Sequence, residues 1–312
     1  MKNTVLAAII GLGSLGSLSA QDTTPKAWTY KLALGADAAG LLQINPRQGA
    51  GQDRLGLGGN ALFEAKYKKD RTEWINTASW LIGLQKLGDI TNSDNRFQKQ
   101  TDLFILRTNF DYSISEGSKF GYWAGAELQT QILPTYTGNV LGDTTAAQVG
   151  SLTQFMSPAT AVVAPGMTYK PNDHLKFRFS PASMKLNIVM EDRLARLGTL
   201  GNPWRSVNDY DKVALQIGAF ANINYTNKYF KDRIAVTSNL NLFTNYLKDP
   251  QYIDVDWNTQ LDFIIFKGLS VGLNTIVWYD HDFDVTLDKT TGRLGKGVSI
   301  TNQLLVKYSV IF

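Results

Sequence analysis

The amino-acid sequence predicts an all-β fold, a transmembrane antiparallel up-and-down β-barrel of about twelve strands. Three observations carry this prediction. Hydrophobicity repeats with a period of two, short turns alternate with longer loops, and aromatic residues collect near the short turns. A period of two separates the two faces of a strand, whereas a helix would place both sets of residues on one side.

The two-residue period is clear in the first predicted strand, where Tyr30, Leu32 and Leu34 share one parity and Lys31 and Asp37 the other. The predicted strands are approximately 27–43, 56–68, 72–87, 101–114, 119–133, 160–170, 174–190, 210–226, 232–247, 252–266, 270–285 and 297–312. In the seventh, the apolar parity changes across residues 180–183. Proline in that stretch removes a ladder donor, which predicts a β-bulge.

The connections between the predicted strands fall into two classes. Short turns are predicted at Lys69-Asp70, Glu116-Gly117, Pro171-Asn172-Asp173, Asn227-Lys228 and Lys267-Gly268. Longer loops are predicted around 44–55, 88–100, 134–159, 191–209 and 286–296, with a short exception at 248–251. This asymmetry is typical of membrane barrels, in which short turns share one side. An even number of strands then brings both chain ends to that side.

Aromatic residues near the predicted short turns indicate a girdle at a membrane–water interface. They are Trp28, Tyr30, Tyr67, Trp74, Tyr112, Phe120, Tyr122, Tyr169, Tyr225, Tyr229, Phe230, Phe263, Tyr308 and Phe312. A soluble β-sandwich or a lipid-carrier barrel would show the same alternation. The loop asymmetry, the girdle and the N-terminal segment together favour the membrane barrel.

The N-terminal segment predicts a signal peptide over residues 1–20, followed by one barrel domain over 21–312. Lys2 precedes the apolar stretch Val5 to Leu18, and Ala20 precedes the predicted cleavage site. The chain contains no cysteine, which excludes disulfides and a cysteine-linked lipid anchor. A net charge of +4 over 312 residues does not favour nucleic-acid binding.

The sequence offers little catalytic chemistry. Its two histidines are predicted to be a solvated turn residue, His174, and an interfacial or loop-facing residue, His281. It has no Gly-x-Ser-x-Gly elbow and no Cys/His metal motif. We therefore expect no catalytic residues and no cofactor, and an outer-membrane hydrolase is the least favoured hypothesis.

Four aspartates form the most specific cluster that the sequence predicts. If a three-residue turn, 267–269, joins strands ten and eleven, Asp254 lies opposite Asp282, and Asp256 lies opposite Asp280. Facing like charges destabilise a ladder, so compensation is expected from a weakly bound divalent cation, from basic lumen side chains, or from hydration. The first option makes the four aspartates a candidate metal site at the lumen rim. Charged residues with lumen parity on other strands are Arg107, Glu127, Lys176, Arg178 and Lys185.

Two stretches carry a family resemblance. One is residues 245–257, from Asn245 to Trp257, and the other combines Tyr169-Lys170-Pro171-Asn172 with Phe179-Ser180-Pro181 and Lys185-Leu186. Both resemble an uncharacterised Bacteroidota family of predicted outer-membrane proteins, known as a domain of unknown function. The resemblance runs over most of the mature chain and is clearest from about 165 to 265. It implies an outer-membrane location and no established activity.

The last predicted strand ends on an aromatic residue. Tyr308, Val310 and Phe312 share the lipid-facing parity and resemble the terminal signal that outer-membrane barrels present to their insertion machinery. Because a barrel has no free edge, this strand is predicted to pair with the first.

These observations lead to a prediction for location and function. We expect a barrel in the outer membrane of a Gram-negative bacterium, surrounded by lipid, with both termini in the periplasm. The predicted function is porin-like passage or binding of solutes in a narrow polar lumen. The alternative is a structural or assembly role with other envelope proteins.

Overall fold

A computed structural model describes residues 27–44, 54–86, 97–135, 153–197, 202–281, 285–288 and 293–312. The twelve long strands are β1 (Trp28–Ile44), β2 (Arg54–Lys69), β3 (Thr72–Lys86), β4 (Phe97–Ser113), β5 (Phe120–Thr130), β6 (Ala159–Asn172), β7 (Leu175–Ile188), β10 (Val213–Tyr229), β11 (Ile234–Asn245), β12 (Asp254–Phe266), β13 (Leu269–Tyr279) and β16 (Ser299–Ile311). Four short strands form two hairpins, β8 (Trp204–Ser206) with β9 (Asp209–Tyr210), and β14 (Val285–Asp288) with β15 (Arg293–Gly295). The predicted signal peptide, residues 1–20, lies outside the described residues.

The twelve long strands close into one antiparallel barrel. Each pairs with its neighbours in chain order, and β1 pairs with β16, so the predicted strand count and seam are confirmed. The seam extends to the last residue, since Phe312 N donates to Leu32 O at 2.8 Å and Leu32 N donates to Phe312 O at 3.2 Å. A closed ladder pairs its backbone groups between strands, which is the requirement for a β-structure in lipid.

The outer wall of the barrel is mostly apolar. On β1, Tyr30, Leu32 and Leu34 are exposed, while Lys31 and Asp37 lie on the inner face. Aromatic side chains group on the outer wall near the short turns. Trp28 lies 5.3 Å from Tyr67 between ring centroids, and Phe120 lies 4.6 Å from Tyr169. The fold is therefore that of a transmembrane barrel with an aromatic girdle at the short-turn end.

The predicted bulge in β7 is confirmed. The register with β10 shifts between Gly218 and Phe220, opposite residues 180–183 of β7. The register with β6 shifts over the same stretch, and a Cβ atom on Gly166 would lie 2.0 Å from Phe179 O. Because the bulge changes the parity of β7, Arg178 and Lys185 both face the lumen although seven positions separate them.

Predicted boundaries differ from the structure at several strand ends. The turn after β10 lies at residues 230–233 rather than at Asn227-Lys228, because β10 continues to Tyr229 and Phe230, Lys231 and Asp232 all adopt positive φ. β13 ends at Tyr279 rather than near 285, because the chain leaves the barrel before the β14–β15 hairpin. β4 begins at Phe97, four residues before the prediction.

The long-loop end carries a small packed layer. One helical turn, Asp192–Ala195, buries Leu194 and Ala195 against Val189, with Tyr210 of the β8–β9 hairpin beside them. Of the helices in the described ranges, none is long and apolar enough to cross a membrane. This layer lies beside the loop at 153–158, where Met190 N donates to Met156 O at 3.0 Å.

Candidate functional site

The inner face of the barrel is the candidate site, because it concentrates the charged side chains. Two ionic clusters lie there, one near each end of the lumen. The short-turn bridge consists of Lys66, Glu73, Asp111, Lys170, Lys176 and Arg178. The long-loop bridge consists of Lys185, Asp254 and Asp280.

Glu73 is one of the two acids of the short-turn bridge. Its carboxylate lies 2.8 Å from Lys66 Nζ and 2.9 Å from Lys170 Nζ. Lys176 Nζ lies 3.2 Å from the same carboxylate. Since Lys176 is on β7 and Glu73 on β3, this contact joins strands four places apart around a wall of twelve. The side chains therefore reach across the lumen instead of along the wall.

Asp111 is the second acid, and its side chain is only 3% exposed. Arg178 Nη2 donates to Asp111 Oδ2 at 3.0 Å, and Lys176 Nζ donates to the same oxygen at 3.4 Å. Lys170 Nζ lies 3.9 Å away. A carboxylate this buried is tolerated because several cations surround it.

An aromatic band lies between the two bridges. The ring of Trp123 on β5 stacks on Phe220 of β10, with 6.1 Å between centroids, and Phe220 lies opposite Phe243 of β11. The indole of Trp123 donates to Asn109 Oδ1 at 3.0 Å. Gly125 makes room for the indole, because a Cβ atom there would lie 2.3 Å from the Trp123 ring.

Each bridge extends one cation over the aromatic band. The Arg178 guanidinium lies 5.4 Å from the Trp123 ring centroid, and Lys185 Nζ lies 5.2 Å from the Phe243 centroid. Rings attract cations by their electron-rich faces. The band therefore joins the two bridges along β5, β7, β10 and β11.

The register predicted for the four aspartates is wrong by two residues. Asp256 pairs with Trp278 rather than with Asp280. The turn between β12 and β13 is Lys267-Gly268, with φ +91° at Gly268, and a bulge between Ile264 and Phe266 adds to the shift. A shift of two keeps the lumen parity but changes the facing pairs. Asp282 lies outside the described residues.

Lys185 supplies positive charge beside two of these aspartates. Its Nζ lies 3.5 Å from Asp254 Oδ2 and 3.9 Å from Asp280 Oδ2. In the described part of the chain, no three Asp, Glu or His side chains come together as a metal site. The sequence allowed a cation, a basic side chain or hydration to offset the charge of these acids. The structure shows a basic side chain, Lys185, in this role at Asp254 and Asp280.

Two further pairs of lumen charges are local. Arg107 Nε donates to Glu127 Oε2 at 2.7 Å between neighbouring strands β4 and β5. Lys307 Nζ lies 2.5 Å from Asp262 Oδ1, between β16 and β12. These pairs follow the wall, unlike the two bridges.

The two histidines contact aromatic and backbone groups. His281 stacks on Tyr252 at 3.4 Å between centroids, and its Nδ1 lies 3.3 Å from the Tyr279 hydroxyl. His174 Nδ1 lies 3.3 Å from Thr226 O in an exposed turn. Both positions agree with the turn and loop-facing locations predicted from the sequence.

Sequence reasoning missed several residues of the site. Parity placed Lys176, Arg178 and Lys185 in the lumen, but it did not identify Glu73 as their partner. A detectable signal was the pair of aromatic residues that break the alternation, Trp123 and Phe220, which occupy polar-parity positions.

The structure defines the protein class as a twelve-stranded transmembrane β-barrel of the outer-membrane type. Residues 43–136 match the family described as "Protein of unknown function (DUF3078)". The match confirms the resemblance to a family of unknown function. It spans the end of β1 through β5, whereas the sequence resemblance is clearest from 165 to 265. No curated protein matches the chain in sequence.

Solved barrels of low sequence identity resemble the chain. The translocator domain of the autotransporter NalP from Neisseria meningitidis is 6% identical, with 89% of this chain and 88% of that chain covered and a TM-score of 0.37. An outer-membrane channel from Pseudomonas putida F1 is 9% identical, with 93% and 97% covered and a TM-score of 0.41. The outer-membrane channel DcaP of Acinetobacter baumannii is 10% identical, with 91% and 97% covered and a TM-score of 0.34. At these scores, the fold assignment rests on the strand pairing itself.

Proposed function

We propose that this protein is an outer-membrane channel that passes or binds small hydrophilic solutes in its lumen. One observation carries the proposal: a closed wall with an apolar outer face encloses a lumen lined by charged and polar side chains. Apolar side chains would be sufficient if the lumen only had to be packed. Charged groups inside a barrel are typical of water-filled or solute-binding interiors.

The barrel size supports small solutes. Twelve strands about 4.8 Å apart, tilted by about 40°, give a backbone cylinder about 24 Å across. The two bridges and the aromatic band occupy part of this width, since their side chains reach between distant strands. We therefore expect passage of ions and small molecules rather than of polymers.

Conductance measurements test the proposal. Refolded protein in a planar bilayer should produce discrete conductance steps, and liposomes containing it should admit a pentose faster than a large oligosaccharide. Heat-denatured protein is the control for leakage caused by residual detergent. Absence of both steps and swelling with correctly folded barrels would overturn the proposal.

The proposed location is the outer membrane of a Gram-negative bacterium, with both termini in the periplasm. Tyr308, Val310 and Phe312 point outward at the seam and are exposed, so lipid and the insertion machinery can contact them. Deleting Phe312 is expected to lower the amount of barrel in the outer membrane, measured against unchanged total synthesis. Normal outer-membrane levels would contradict this assembly role.

A second candidate function, assembly with another envelope protein, is favoured by a polar row on the lipid-facing wall. Ser238, Thr259, Thr275 and Asn302 are consecutive partners across β11, β12, β13 and β16. Ser238 and Thr259 hydroxyls lie 2.9 Å apart, and Thr275 donates to Asn302 Oδ1 at 2.9 Å. Polar side chains facing lipid are favoured at intramembrane contacts. Cross-linking from these positions should capture a partner, and a barrel that remains monomeric would remove this candidate.

A further inference from the structure

The short-turn bridge has unequal numbers of basic and acidic members. Its basic residues are Lys66, Lys170, Lys176 and Arg178, and its acidic residues are Glu73 and Asp111. Within the described residues, two positive charges are therefore left in excess. The pair Arg107–Glu127, in contrast, matches one cation with one anion.

The two acids of the bridge are enclosed by its cations. Glu73 lies within 3.2 Å of Lys66, Lys170 and Lys176. Asp111 accepts from Arg178 and Lys176 and is almost fully buried. A solute cation in the lumen would therefore meet ammonium and guanidinium groups before it reached either carboxylate.

A buried donor in the bridge lacks a partner. The Arg178 side chain is 10% exposed, and its buried Nε has no hydrogen-bond acceptor among the described residues. A buried donor without an acceptor is costly, so an acceptor from outside the chain would stabilise it. Asp111 Oδ1, a buried acceptor of the same bridge, also has no hydrogen-bond partner among the described residues. The excess of two positive charges, with this donor beside it, is therefore what favours an anion at the bridge.

We infer that the short-turn bridge binds anions and makes the channel anion-selective, for inorganic anions such as chloride and phosphate and for small organic acids. The inference rests on the proposed channel function and names its solute class. One unit charge about 5 Å from a monovalent ion in water changes the local ion concentration about fourfold. Two excess charges should therefore favour anions over cations clearly at this cross-section of the lumen.

The test is the reversal potential of the complete protein in a planar bilayer under a potassium chloride gradient. We expect its sign to show a preference for chloride. Its magnitude should correspond to a chloride-to-potassium permeability ratio of at least about four. The double variant Lys176→Met/Arg178→Met should move the ratio toward one. The matched control, Arg205→Met/Lys212→Met, removes the same charge from exposed ion pairs at the long-loop end and should retain the anion preference.

A second variant guards against misfolding of the first. Lys66→Gln removes one positive charge from a side chain that is one-third exposed, so the barrel should still fold. It should lower the anion preference by a smaller factor. Heat-modifiable migration on a gel should show that each variant forms a closed barrel.

Addition of phosphate tests anion binding at the bridge. Added phosphate should reduce the chloride current of the wild type in a concentration-dependent way and should lose this effect in the Lys176→Met/Arg178→Met variant. A conducting channel that prefers potassium, or chloride current indifferent to phosphate, would overturn the inference and leave the channel function intact. A folded barrel without conductance would instead overturn the proposed function.

Discussion

The two bridges inside the barrel start from the same strand and differ in the length of their contacts and in the burial of Asp111 and Asp254. The short-turn bridge runs from β7 toward β2–β4 and encloses Asp111 at 3% side-chain exposure. The long-loop bridge runs from β7 toward β12 and reaches Asp254, which is 24% exposed, with a longer contact of 3.5 Å. The bulge in β7 makes both possible, because without its parity change Lys185 would face lipid when Arg178 faces the lumen. One irregular strand thus supplies both cross-lumen connections.

The largest expected effect comes from changing the parity of β7 beyond the bulge. Inserting one alanine between Met184 and Lys185 would turn Lys185 and Asn187 toward lipid, where a basic side chain costs up to about 4 kcal/mol near the membrane centre. We expect no heat-modifiable barrel on a gel after refolding. Deletion of Ala182 is the control and should fold, because it leaves six positions between Arg178 and Lys185 and both still face the lumen without a bulge. A folded insertion variant would contradict the role given to the parity of β7.

The next effect distinguishes the two bridges by burial. Asp111→Asn leaves Arg178 and Lys176 beside a neutral group and should lower the free energy of unfolding by about 3–5 kcal/mol. Asp254→Asn, the matched change at the more exposed acid, should cost about 1 kcal/mol or less. Urea unfolding in detergent or lipid, followed by tryptophan fluorescence, measures both. Equal losses would mean that the two bridges do not differ as described.

A smaller effect is expected in the aromatic band that separates the bridges. Gly125→Ala would place a Cβ atom 2.3 Å from the Trp123 ring, so the indole must shift away from its contacts. Overpacking of this kind costs about 1–3 kcal/mol. Ala124→Val, on the outer face of the same strand, is the control and should cost less. Unfolding curves that coincide for the two variants would contradict the packing described for Trp123.

The smallest effect is expected outside the lumen, at the exposed β8–β9 hairpin. Arg205 donates to Asp209 at 2.6 Å and thereby lowers the pKa of that carboxyl. Because the folded-state pKa is lowered, any stabilisation exists above the ordinary pKa of aspartate and is lost as pH falls through the lowered pKa. Since both side chains are solvated, Arg205→Ala should leave the unfolding midpoint unchanged at neutral pH. A clear shift would show that this hairpin supports the barrel.

The sequence predicts the local features of this barrel better than the distant ones. Parity assigns Arg107, Glu127 and Lys185 to the lumen because side-chain alternation is a property of each strand alone. The facing partners of Asp256 depend on a turn length and a bulge, and a two-residue difference suffices to change them. The contact of Lys176 with Glu73 depends on closure of the whole wall, and parity within β3 or β7 carries no information about it.

The central claim, a solute path inside the barrel, is tested most directly by two adjacent cysteine variants. The natural chain has no cysteine, so Thr237→Cys on the lumen face and Ser238→Cys on the lipid face each introduce a unique thiol. A charged, membrane-impermeant thiol reagent should change the single-channel conductance of Thr237→Cys and leave that of Ser238→Cys unchanged. An equal response of both variants, or no conductance from either folded barrel, would contradict the account.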